Sequence, residues 1–586
     1  MIEWIHPGVF LIIGALLIPL FKGRLKQVYL VALPTAALIG CILTSQGTHG
    51  VIHFLGYDLT FGRVDRLSLL FSYVFSIMGI IGIVYALHVK DDAQHISAMV
   101  YVGSALGVTF AGDLFVLFIF WEFMAFSAAL LVFLRKSKEA VRAGFRYLLV
   151  HTFSGVCLLG GIIIHLSQTG SIAFNSMMNY EGGIAFYLIL LSFMINAAVP
   201  PFGAWLPDAY PEATVTGAVF MTAYTTKSAV YVLIRGFAGT ELLIWMGAIM
   251  AIYGVVYAVL ENDCRRLLAY HIISQVGYMV CGVGIGTEMA LNGSASHAFA
   301  HILYKGLLFM GAGAVLEMTG KRKLTELGGI YKTMPITMVL YMIGGFSISA
   351  VPLFSGFVSK SMVVSAAGES HMMIPFLMLT LASAGTFLST GLKLPYYMFF
   401  GKDSGIRVKE PPLNMLIAMG MASFICIFIG VFPGSLYSLL PFPVHYASYT
   451  PQHVMSALGI LGFTALGFFM LLRQLDPEPT TSIDTDWFYR KGAKVFMWLA
   501  NKPVARFEYN VVGEAYEFVV RKPILGIAHL LRVFDTNAVD GTVNGVGRMI
   551  VASSMIMRVI QSGQVQHYAI IMALGIFAIV ALIILL

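Results

Sequence analysis

The chain has 586 residues, 58% of them hydrophobic and only 11% charged, with a mean hydropathy of +0.84. A soluble domain carries about 25% charge, so the composition excludes an ordinary soluble protein. Recurring apolar runs of about 20 residues identify a polytopic helical membrane protein rather than a β-barrel. The net charge of +7 calls for no nucleic acid, because basic residues gather in the short loops that fix topology.

The first apolar run, near 6–21, lacks a basic leader and a small-residue cleavage site and is read as a retained helix. Further spans are predicted near 28–45, 67–88, 96–111, 114–134, 144–166, 184–199, 215–236, 241–259, 267–287, 295–318, 335–353, 374–400, 412–432, 455–473 and 567–586. That is an all-α fold of about sixteen crossings. The basic loops KGRLK (22–26), RKSKEAVR (135–142), DCRR (263–266), KRK (321–323) and KDSGIRVK (402–409) fall on one side of the count. By the positive-inside rule they face the cytoplasm of an inner-membrane protein whose two termini lie outside. Residues 474–566 then form a cytoplasmic insertion with apolar residues at helical spacing among Arg and Lys, the pattern of a segment lying along the membrane surface. Pro503 and Pro523 are expected to break it into several helices. Cys41, Cys157, Cys264, Cys281 and Cys426 are scattered with no CxxC pair, so no metal or cluster site is expected, and no cofactor.

An ionisable group in mid-membrane costs roughly 3 kcal/mol or more and marks function by default. Glu122 is central in the fifth predicted span and Lys227 in the eighth. His297, His301 and Lys305 share one face of the eleventh at a spacing of four. Lys360 lies just past the twelfth, His151 in the sixth and Lys393 in the inner half of the thirteenth. Lys393 is expected to snorkel to the headgroups. His151 reads equally as a hydrogen-bonding helix contact. Lys227 and Lys305 lie too deep to snorkel. Together these groups have the chemistry of a proton relay.

Two stretches, INAAVPPFGAWLPDAYPEATVTGAVF and SISAVPLFSGFVSKSMVV, each break an apolar run at Ala-Val-Pro. Paired broken helices are the mark of internally repeated transporters. The fourth to eighth spans (95–240) and the ninth to thirteenth (241–400) would be two inverted units, since five spans each make them opposite in direction. They would lie between N-terminal helices (1–94) and C-terminal helices (401–473), with the surface segment (474–566) and a last anchor (567–586) beyond.

WEFMAFSAALLV at 121–132, AAVPPFGAWLPDAYPEA at 197–213, DCRRLLAYHIISQVGYM at 263–279, HAFAHILYKGLLFMGAG at 297–313, LGGIYKTMP at 327–335 and SGFVSKS at 355–361 together resemble the antiporter-like subunits of respiratory complex I and the Mrp cation/proton antiporters. VDGTVNGVGR at 539–548 and SGQVQHYA at 562–569 resemble the end of the largest such complex I subunit, where a lateral helix runs along its neighbours. The resemblance implies that Glu122 is the carboxylate of the first half-channel, Lys227 the eighth-helix lysine, Lys305 the lysine of the central polar axis and Lys360 the exit-side lysine. It implies partners among other membrane subunits and transport of protons, alone or against Na⁺ or K⁺. The chain departs from the pattern at Asn196, where the family places the lysine that pairs with the glutamate, and at His271, where it often has Ser and where an imidazole would add a proton-accepting group. Either Lys227 or His151 takes over from Asn196, or the first half is idle. The competing function is a structural subunit that clamps its neighbours without moving ions.

Overall fold

A computed structural model describes residues 4–478, 486–560 and 563–585. Among them, eleven helices are long and apolar enough to cross a membrane. The other predicted spans fall on shorter or broken helices, so each of the sixteen corresponds to helical structure. The chain divides into two units, Met1–Trp487 and Phe488–Leu586.

In the first unit, α1 (Pro7–Leu16) and α2 (Gly23–Leu43) precede an antiparallel hairpin, β1 (Gly47–Phe54) and β2 (Tyr57–Val64). The hairpin occupies a stretch expected only to connect two spans. Then come α3 (Arg66–Ala86), α4 (Asp92–Phe110), α5 (Leu114–Phe133), α6 (Lys138–Thr169), α7 (Ile184–Asn196), α8 (Trp205–Ala209), α9 (Val215–Met221) and α10 (Thr225–Gly236). They are followed by α11 (Glu241–Leu260), α12 (Cys264–Ile285), α13 (Glu288–Thr319), α14 (Pro335–Ile348), α15 (Ser355–Glu369) and α16 (Met373–Thr386), which runs on as a π-helical segment, Phe387–Lys393. The unit closes with α17 (Leu413–Val431), α18 (Gly434–Tyr437) and α19 (Pro451–Met470).

Local signals repeat at one interval. Asp113 caps α5 and bridges to Ala173, and Asp263 caps α12 and bridges to Lys323. Ser137 caps α6 and Thr287 caps α13, and these 32-residue helices both end on a left-handed glycine, Gly170 and Gly320. Each pair stands 150 residues apart (263 less 113, 287 less 137, 320 less 170). The two Ala-Val-Pro breaks also share one geometry. Ala198 (φ 61°) and Ala350 (φ 57°) are left-handed. Ala198 N–H donates to the Ile195 carbonyl and Val199 N–H to Met194, while Ala350 N–H donates to Ser347 and Val351 N–H to Phe346. Both are Schellman caps closed by a following proline, with alanine where glycine is usual.

In the second unit, helix continues from 488 to 560, and the expected breaks at the two prolines are absent. Pro503 sits in a π turn, Ala500–Val504, and Pro523 in the first turn of Lys522–Phe534. A π turn changes the hydrogen-bond reach locally and absorbs a residue that has no N–H to give. The last helix is Val565–Leu585. Residues 479–485 and 561–562, which belong to the expected surface segment, lie outside the described residues.

Candidate functional site

Glu122 lies against α6 at Gly155, where any Cβ would occupy the position of the carboxylate. The helices therefore close on the acid only because that residue is glycine. One carboxylate oxygen, Oε1, is buried with no hydrogen-bond partner among the described residues.

His151 is fully buried between Tyr147 (ring centroids 4.1 Å apart) and Trp205 (4.5 Å). Its Nδ1 lies 3.1 Å from the Asn196 Oδ1, which also accepts from the Ser154 hydroxyl at 2.8 Å. Asn196 thus sits in the last turn of α7, just before the break, as an acceptor for two donors of α6. Tyr147 carries the contact onward, its hydroxyl 3.3 Å from that of Thr225, which is 2.6 Å from the Tyr101 hydroxyl. Thr225 opens α10, the helix of Lys227. Lys227 is fully buried and donates to the Thr222 carbonyl at 2.6 Å and the Thr226 hydroxyl at 3.1 Å.

α13 presents His297, His301 and Lys305, all with 0% exposure. The His297 Nδ1 lies 3.1 Å from the Ser359 hydroxyl, and its Nε2 lies 3.2 Å from the Gln275 Oε1. The His301 ring packs 5.1 Å from that of Tyr304, and neither of its nitrogens has a hydrogen-bond partner among the described residues. Lys305 Nζ likewise has none. Lys227, His301 and Lys305 lie within Coulombic reach of one another, so a proton on one repels a proton on the next. Lys360, on α15 one turn past the second break, has no hydrogen-bond partner for Nζ among the described residues and sits 4.7 Å above the Tyr278 ring. It lines a cavity of about 270 Å³ with Ser349, Ser361, Thr380 and His453.

Lys393 does not snorkel. It is 3% exposed, and its Nζ donates to the Val259 carbonyl at 2.5 Å and the Glu261 carbonyl at 3.4 Å. The unpaired carbonyls at the end of α11 hold the amine better than a lipid surface would.

Neutral polar groups that a search for charge alone passes over, Ser154, Thr225, Gln275, Tyr278 and Ser359, lie among the buried ionisable residues. Their signal is present in α12, where His271, Gln275 and Tyr278 follow at spacings of four and three, a polar stripe on an apolar helix. Charged loop residues pair nearby, and one pair joins the loop after α8 to the loop after α13. Arg146 holds Asp208 in a two-pronged pair at 2.6 and 2.8 Å, and Glu212 accepts from Arg135 at 3.0 Å and Arg322 at 2.9 Å.

Residues 111–389 match the transmembrane family model described as NADH:quinone oxidoreductase/Mrp antiporter. An uncharacterized protein of Methanocaldococcus jannaschii is 28% identical over 460 residues, 72% of this chain and 94% of that one. The Na⁺/H⁺ antiporter subunit A1 of Staphylococcus haemolyticus is 27% identical over 576 residues, 85% of this chain and 72% of that protein. Among solved structures, a chain of the membrane-bound sulfane sulfur reductase, an archaeal respiratory membrane complex, superposes with a TM-score of 0.74 at 23% identity, covering 89% of this chain and 99% of that one. The motifs, the fold and the match over residues 111–389 agree in their likeness to the antiporter-like membrane subunits shared by NADH:quinone oxidoreductase and the Mrp antiporters.

Proposed function

We propose that this chain is the proton-translocating subunit of a multi-subunit membrane complex, passing protons from Glu122 through His151 and Lys227 to His301, Lys305, His297 and Lys360. The observation that carries the reading is the set of three fully buried lysines, two of them without a hydrogen-bond acceptor among the described residues. An unpaired amine in mid-membrane costs several kcal/mol. A structural subunit gains nothing that offsets this, whereas a relay needs groups that take up and release a proton. Two inverted units, 95–240 and 241–400, are supported by the 150-residue interval of caps and bridges. Asn196 leaves the first half with His151 and Lys227 as its bases.

The positive-inside parity supports an inner-membrane placement with both termini outside and 474–566 in the cytoplasm. Exposed Phe496, Phe507, Phe518 and Leu530 support docking of that segment on neighbouring subunits of an Mrp-like or complex I-like assembly. The relative that is a Na⁺/H⁺ antiporter subunit makes Na⁺ the first cation to test and K⁺ the second. Purification of the intact complex in mild detergent, identification of its subunits, and pH-dye assays in vesicles after Na⁺ or K⁺ pulses check this. Proton movement with co-purified membrane subunits is expected. A chain that purifies alone, with no proton movement under either cation or with an added electron donor, would contradict it.

A further inference from the structure

His271 is fully buried on α12 and has no part in the path above. Its Nε2 lies 2.6 Å from the Ser389 hydroxyl, while its Nδ1 is buried without a partner among the described residues. One turn along α12, the Gln275 Oε1 accepts from the hydroxyl of Tyr304, the residue beside Lys305 on α13, at 3.4 Å. A buried histidine bonded on a single side keeps its other ring nitrogen free to take up or release a proton. Ser389 belongs to the π-helical segment Phe387–Lys393, four residues before Lys393. Such turns recur at functional sites. Lys393 in turn holds the backbone of Glu261, in the loop after α11. Gly391, in the same segment, lets the Ser349 hydroxyl approach, bringing the Lys360 cavity beside this path.

We propose that Glu261, Lys393, Ser389 and His271 form a second proton inlet, leading from the face of the DCRR loop to Lys305 without passing Glu122. The proposal rests on the relay reading and adds an inlet to it. The hop balances in protons. With the ring protonated at Nδ1, the Ser389 hydroxyl turns from the Gly385 carbonyl, to which it donates at 2.6 Å, gives its proton to His271 Nε2 and takes one from the Lys393 ammonium through water. The imidazolium then releases its Nδ1 proton to the neutral Lys305 amine. One charge moves inward, and tautomer exchange resets the ring. Glu261 suits the mouth: it is 4% exposed, and burial raises its carboxyl above the ordinary carboxylate value although Arg266 pulls the other way.

The test uses the whole complex in vesicles, with complex yield checked for each variant. Glu122→Gln is expected to keep at least about a tenth of the native proton rate, and adding His271→Gln to lower the remainder about tenfold or more. Glu261→Gln in the Glu122→Gln background should do the same, and it keeps the test alive if the histidine variant fails to assemble. Glu122→Gln at background rate on its own, or double variants as fast as Glu122→Gln, would overturn the second inlet. Lys305→Ala separates the two ideas. Full rate there would end the relay reading itself, whereas loss of rate there with unaffected double variants would end only the inlet.

Discussion

The side-chain oxygen of Asn196 accepts from both His151 and Ser154, and this fixes what the residue can be exchanged for. Asn196→Lys puts a donor where two donors need an acceptor, and each orphaned buried group costs about 1–3 kcal/mol. We therefore expect Asn196→Lys to lower the melting temperature in detergent and to slow transport, while Asn196→Asp, which keeps the acceptor, retains assembly. Equal stability and rate in Asn196→Lys would show that the His151 contact does not matter. From the sequence, Asn196 is only a missing lysine, and restoring Lys looks harmless. Glu122, Lys227, Lys305 and Lys360 were legible because a charge inside an apolar run is costly in hydrocarbon and stands out from its neighbours. Lys393 was misread because counting residues from a helix end cannot reveal that a second helix, more than a hundred residues earlier, ends beside it with free carbonyls. His271 reads from the sequence as an added proton-accepting group, but its partner, Ser389, is placed by a π-helical segment that no periodicity in the sequence announces.

Helix ends carry the next set of expectations. Ala198 and Ala350 hold left-handed conformations that cost an alanine roughly 1–2 kcal/mol. Ala350→Gly should raise thermal stability, and Ala350→Val, with a branched Cβ at positive φ, should lower it; calorimetry of the purified complex checks both, and the reverse order would refute the cap assignment. Asp65 caps α3, accepting from Ser68 N–H, and pairs with Arg235 at 2.8 Å. Burial pushes its carboxyl up, but the Arg235 guanidinium and the Ser68 N–H outweigh this and hold it below the ordinary value. Its contribution is present above the unfolded carboxylate range and is lost as pH falls through the lower folded value. Asp65→Ala should then cost about 1 kcal/mol at neutral pH and little in strong acid, seen as melting curves that converge on acidification. The broken helices were legible from their prolines. The hairpin was not, because β1 carries two glycines and little alternation; Pro503 misled because a π turn absorbs what would interrupt an α-helix, and Pro523 because the first turn of a helix tolerates proline.

At the scale of the whole molecule, span number and loop charge follow from composition, since hydrocarbon admits only helices of sufficient length. The 150-residue interval was hidden, because it lies in caps and bridges rather than in repeated words. Truncation before residue 474 should leave the earlier spans inserted while reducing co-purification of partner subunits; a truncated chain that still brings down every partner would rule out the docking role. The central claim is that protons cross through the buried amines, and Lys305→Ala in the intact complex tests it most directly. Proton movement is read with a pH dye in vesicles holding matched amounts of native and variant complex. The account predicts a fall of about a hundredfold or more with unchanged assembly, and a native rate in fully assembled Lys305→Ala would contradict it.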